Sequence, residues 1–157
     1  MKTAMRKYEF TGETKTLCDG TVLHRIRALI DIDLGWRVVK AGELGGWLEN
    51  ETNLSHFGKC WVYGDAKVYG YAKICGNAIV WGNAEVYGDS KVYGSAMVCG
   101  DAEVYGYAKV YGCAMVCGDA EVYGDTKIGG DAIVRGINHI ADDACRSWYM
   151  KRFTEIK

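Results

Sequence analysis

A β-branched residue returns at every sixth position from Val62 to Val134 without a break. The series runs Val62, Val68, Ile74, Val80, Val86, Val92, Val98, Val104, Val110, Val116, Val122, Ile128 and Val134. A glycine follows each of them two residues later, from Gly64 to Gly136. A small residue follows four later: alanine nearly always, but Ser90, Thr126 and finally Asn138. Periodicity of this strictness dictates a repeat architecture before any local propensity is considered.

The spelling of one unit gives its shape. In Ala66-Lys67-Val68-Tyr69, strand alternation puts Ala66 and Val68 on one side and Lys67 and Tyr69 on the other. Gly70 then supplies turn chemistry, since glycine tolerates positive φ. Each unit is a short strand followed by a corner. A strand this short buries nothing alone. Stacked about 4.8 Å apart, successive coils pair their strands and fill a narrow interior with alanine and valine. The chain contains no proline and is rich in glycine, which fits positional corners rather than flexible linkers.

The V-Y-G-D-A-K pattern resembles the hexapeptide-repeat proteins. That resemblance implies an all-β, left-handed parallel β-helix in which triangular coils take 18 residues each. The left hand comes from the resemblance, because the general crossover rule favours a right-handed connection. The resemblance covers about two thirds of the chain and is more specific for fold than for function. Degenerate repeats reach back through Leu54 and Leu48 to Leu44, so the expected organisation is an N-terminal β cap over residues 1–43, the β-helix over 44–141 and a short helix and tail over 142–157. Asp142 and Asp143 suit the start of that helix, and Lys151 and Arg152 its end.

Read every 18 residues, the outward positions sort into three faces. The first carries Trp61, Ile79, Met97, Met115 and Ile133, beside Tyr63, Trp81, Cys99, Cys117 and Arg135. It is almost wholly apolar although it points away from the core, and such area marks an interface unless the chain's own termini cover it. Trp61, Tyr63, Ile79, Trp81, Met97, Cys99, Met115 and Ile133 are therefore the candidate partner or oligomer interface. The second face carries Lys67, Glu85, Glu103 and Glu121, flanked by Tyr69, Tyr87, Tyr105 and Tyr123. It reads either as a structural aromatic ladder or as an aromatic and charged binding face. The third carries Lys73, Lys91, Lys109 and Lys127. Stacked like charges repel, so one copy's glutamate face could meet another's lysine face.

Composition narrows the function further. A formal net charge of −1 speaks against phosphate-driven nucleic-acid binding. The first residues lack the apolar stretch of a signal peptide, and no run is long enough for a membrane span. Seven cysteines without a secretion signal suggest reduced thiols in a cytoplasm. Cys113 and Cys117 lack the further ligands of a zinc set, so neither metal nor cofactor is expected.

Many hexapeptide-repeat proteins are CoA-dependent acyltransferases with an excursion loop and a histidine base, often in trimers. Here no loop and no histidine interrupt the run from Val62 to Val134; His24, His56 and His139 lie towards the ends. The segment from Lys40 to Glu49, with Asn53-Leu54-Ser55 after it, resembles a junction in phage and prophage hexapeptide-repeat proteins of unknown role. The expectation is a non-catalytic binding protein of phage descent in the host cytoplasm. It would form a dimer or trimer and dock or inhibit a host protein, possible targets including an antiviral defence component. A CoA-dependent acyltransferase and a structural assembly protein are the alternatives.

Overall fold

A computed structural model describes residues 6–136 and 139–141. The expected C-terminal helix lies outside the described residues. Among the described residues the chain is all-β apart from one short 3-10 turn, Glu51–Asn53. From Leu44 onwards it winds into a parallel β-helix of about five coils, with the left hand implied by the hexapeptide resemblance.

The pairing shows why the repeat demands this shape. Glu85 pairs with Glu103 and Glu103 with Glu121, Lys91 with Lys109 and Lys109 with Lys127, Met97 with Met115 and Met115 with Ile133. Every partner is 18 residues away, so three hexapeptides close one coil. The inward alanines and valines from Ala66 to Val134 are buried and form one continuous core. Ser90 and Thr126 take alanine positions and turn their hydroxyls back onto the carbonyls of Tyr87 and Tyr123, at 2.8 and 2.6 Å. That satisfies a buried polar group within its own corner. Gly88 shows the demand at a corner: its φ is +73°, and an added Cβ would lie 2.8 Å from the Gly106 nitrogen.

The first coil departs from the rule. Trp47 pairs with Lys67 and Leu48 with Val68, and Leu54 bridges to Ile74, whereas Trp61 pairs with Ile79. Two extra residues therefore sit between Leu54 and Trp61, in a small bulge that carries His56 and Phe57.

The N-terminal segment is built differently from a lid. Strands β1 (Tyr8–Thr16) and β2 (Val22–Ala28) are antiparallel, and β2 pairs antiparallel with β5 (Leu44–Leu48), the first strand of the helix. The cap thus extends one face of the solenoid as a continuous eight-stranded sheet. Strands β3 (Ile32–Asp33) and β4 (Val38–Val39) form a separate hairpin. Tyr8, Ile26, Ile32 and Val39 join the helix core, which closes its upper end.

Candidate functional site

The described residues cover half of the apolar face themselves. Trp36, at the tip of the β3–β4 hairpin, lies 6.4 Å from the ring of Tyr63 and 6.1 Å from that of Trp81. Tyr63 and Trp81 stack on each other at 6.4 Å. The Arg37 guanidinium lies 5.4 Å above the Tyr63 ring. Beneath this cover Trp61 is fully buried, packed edge-on against Tyr8, and Ile79 is 4 % exposed. Trp61 and Ile79 therefore leave the expected interface: the N-terminal segment claims them as core. Further down, Met97, Cys99, Met115 and Cys117 are half-buried and Ile133 is 36 % exposed. The hairpin ends over this strip, where Asp33, Leu34, Gly35, Lys59, Asn77, Ile79, Ser95 and Met97 line a cleft.

The tyrosine face is satisfied from within. Tyr69, Tyr87, Tyr105 and Tyr123 stack almost parallel, with ring centroids 4.9 to 5.2 Å apart. The first three phenols also donate to the glutamate of the next coil: Tyr69 to Glu85 at 2.8 Å, Tyr87 to Glu103 at 2.9 Å, and Tyr105 to Glu121 at 3.0 Å. These bonds answer the repulsion between stacked carboxylates, so the glutamates do not depend on a neighbouring copy's lysines. Burial, and then the bond to Glu121, push the Tyr105 phenol up to about 12; Tyr69 and Tyr87 are raised in the same way. The ladder reading fits this geometry better than an open binding face. Lys73, Lys91, Lys109 and Lys127 stand in register on the third face, where Tyr93 and Tyr111 stack at 5.3 Å.

The histidines occupy three unlike settings. His24 stacks on Phe10 at 4.6 Å. His56 stacks on Tyr8 at 4.1 Å, and its Nδ1 accepts the Lys7 backbone N–H at 3.0 Å. That bond assigns the ring proton to Nε2, which lies 3.4 Å from Glu51 Oε1. Both nitrogens of neutral His56 are engaged, so the geometry makes it a cap residue and no free base. His139 differs. Its Nδ1 lies 3.5 Å from Glu121 Oε1, the carboxylate that Tyr105 already holds, and half its side chain is exposed. The 18-residue reading contained this pair, because His139 falls one coil after Glu121; its place near the chain end hid it.

Among the described residues, no group of three or more His, Cys, Asp or Glu side chains is arranged to hold a metal ion. No described helix is long and apolar enough to cross a membrane.

No family model matches the chain. It is 38 % identical over 81 residues to a protein of Escherichia coli (strain K12) named uncharacterized acetyltransferase YdcK, an alignment that takes in 46 % of this chain and 24 % of that protein. The chain thus spans about a quarter of the length of the relative it matches. With the observed coils, this likeness supports a hexapeptide-repeat β-helix.

Proposed function

We propose that this chain is a binding protein that docks protein on the uncovered half of its apolar face, and that its first occupant is a second copy of itself. The observation that carries this reading is the gradient along one face. The strip is closed over Trp61 and Ile79 and open from Met97 to Ile133. A surface that the described residues cover at one end only, and that continues as sulfur and aliphatic side chains, fits an association surface. Trp36, 54 % exposed above Tyr63 and Trp81, extends it on the hairpin side. The trimers frequent among hexapeptide-repeat proteins agree with self-association. The phage-like junction from Lys40 to Glu49 stands on that segment alone and carries no part of the reading.

Light scattering on the wild-type chain and on Met97→Glu and Met115→Glu tests it. The expected result is a wild-type oligomer that the variants dissociate while still melting cooperatively. A wild-type monomer at high micromolar concentration, or variants of unchanged mass, would sink self-association; capture of a foreign protein by the wild type alone would then move the occupant to that protein.

A second reading is acyl transfer, which the likeness to YdcK favours over binding. The His139–Glu121 pair gives it a physical footing: a carboxylate-held imidazole can accept the proton of an acceptor hydroxyl or amine as it attacks a thioester carbonyl. The test is calorimetry with acetyl-CoA, followed by acetyl transfer to small hydroxyl and amine acceptors. Binding, with turnover lost in His139→Ala, would promote acyl transfer over the first reading. No binding, or turnover indifferent to His139, would remove it.

A further inference from the structure

The tetrapeptide Met-Val-Cys-Gly occurs twice, as Met97 to Gly100 and as Met115 to Gly118, one coil apart. Met97 pairs in register with Met115 and Val98 with Val116, and the Cys99 N–H donates to the Val116 carbonyl at 2.9 Å. Cys99 therefore stands directly over Cys117. Val98 and Val116 point inward and are fully buried, so the methionine and cysteine on either side of each valine share the outer face. The result is a rectangle of four sulfur side chains, about 4.8 Å between coils and about 6.6 Å along each strand.

We propose that Met97, Cys99, Met115 and Cys117 form a binding site for a soft monovalent metal ion, with Cu(I) the ion this donor set selects. Two thiolates and two thioethers suit Cu(I), whereas Zn(II) draws its ligands from thiolate, imidazole and carboxylate. The site differs from the zinc set that Cys113 and Cys117 fail to complete. Its ligands come from two coils, and half of them are methionine. Methionine has three rotatable bonds, so both thioethers can swing toward an ion held between the thiols.

The surroundings suit an anionic complex. All four side chains are half-buried. Burial, followed by the charge of Cys117, pushes the Cys99 thiol up to about 12. Arg135 takes the next position in the cysteine column, since Val116 pairs with Val134. Binding is a ligand exchange without oxidation: two S–H bonds break, two Cu–S bonds form, and two protons pass to the buffer. Affinity therefore rises with pH.

Reduced protein titrated anaerobically with Cu(I) against a chromophoric Cu(I) chelator tests the site. One ion per chain is expected, with sulfur-only coordination by X-ray absorption. Loss of outer hydrogen-bond partners already weakens metal sites about 10–100-fold, so Cys99→Ser with Cys117→Ser should weaken binding by more than about 100-fold. Met97→Ile with Met115→Ile should weaken it by about tenfold or more and leave the fold intact, because isoleucine already fills this column at positions 79 and 133. Cys75→Ser with Cys113→Ser should bind as wild type. Wild-type affinity in the double serine variant, nitrogen or oxygen ligands in the absorption spectrum, or equal affinity for Zn(II) would each overturn the proposal. The isoleucine variant keeps the strip apolar, so its oligomeric mass reports on self-association separately from metal binding.

Discussion

Lys7 Nζ lies 2.7 Å from the Cys60 carbonyl oxygen and 3.3 Å from the Cys60 sulfur, with the Gly58 carbonyl at 3.2 Å, and both side chains are buried. The first coil has no coil above it, so its outward-bound carbonyls need donors from elsewhere. Lys7 answers two of them. The Tyr8 hydroxyl, with one proton to give, lies against two more, the Leu54 carbonyl at 2.7 Å and the Glu51 carbonyl at 2.9 Å. Burial holds the Lys7 amine below its ordinary range and raises the Cys60 thiol.

Lys7→Met keeps much of the side-chain volume and removes the donor. Two carbonyls are left without their partner, and each unsatisfied buried group costs about 1–3 kcal/mol. Urea denaturation should show a loss of up to about 2–6 kcal/mol for the two together, with the slope unchanged. A loss below about 0.5 kcal/mol would mean that water replaces the amine at this end.

The tyrosine ladder makes stability fall in alkali. The Tyr105 phenol is raised from 10.0 to about 12 in the folded chain, and Tyr69 and Tyr87 are raised too. The folded state therefore holds these protons longer than the unfolded state. Their contribution is complete below pH 10, the unfolded value, and is lost as pH rises through the folded values. Urea midpoints measured between pH 9 and 12 should fall less steeply in Tyr105→Phe than in the wild type.

Tyr87→Phe keeps the ring stack and removes the bond to Glu103. At pH 7 it should cost about 0.5–1.5 kcal/mol. Tyr87→Ala should cost more, because both ring contacts, at 4.9 and 5.0 Å, go with it. Equal losses in the two variants would show that the stack itself contributes nothing.

Gly88→Ala tests the corner. The residue sits at φ +73°, and its new Cβ would meet the Gly106 backbone nitrogen and oxygen at 2.8 and 3.1 Å. A left-handed conformation costs about 1–2 kcal/mol for an L-residue, and overpacking against backbone adds about 1–3 kcal/mol. Thermal unfolding should register the sum as a large drop in Tm.

Ala102→Leu and Ser90→Ala probe the same inward column in opposite senses. Ala102 is fully buried, and leucine there should overfill the coil at about 1–3 kcal/mol. Ser90 stands where most corners carry alanine, and its hydroxyl returns to its own corner at Tyr87. Ser90→Ala should stay within about 0.5 kcal/mol of wild type. Denaturant midpoints that reversed this order would mean that the inward register is wrong.

The repeat was legible because every property it controls recurs at 6 or 18. Ala102 inside, Tyr105 outside and Met97 over Met115 all follow from counting. The exceptions come from contacts that counting cannot see. Trp61 fits the apolar column, yet Tyr8 packs against it from a non-repetitive strand. Trp36 meets Trp81 only once the β3–β4 hairpin folds back across the face. The phenol–carboxylate bonds were hidden more thinly: Tyr87 and Glu103 are 16 apart, a spacing that becomes a contact once the coil is known to take 18. The two added residues before Trp61 disturb the count in the first coil alone, and they place His56 where the cap can hold it.

The in-register columns constrain how this chain can change its length. Deleting one hexapeptide would preserve the inward alternation of small and β-branched residues and still turn all later coils by a third of a revolution. At the junction glutamate would then land under methionine and lysine under glutamate, and the tyrosine there would lose its acceptor. Only the loss or gain of three units together carries the faces through intact. Selection on the surfaces, as distinct from selection on the fold, should therefore admit insertions and deletions in whole coils, and the paired Met-Val-Cys-Gly rungs have the spacing that duplication of one such coil would leave.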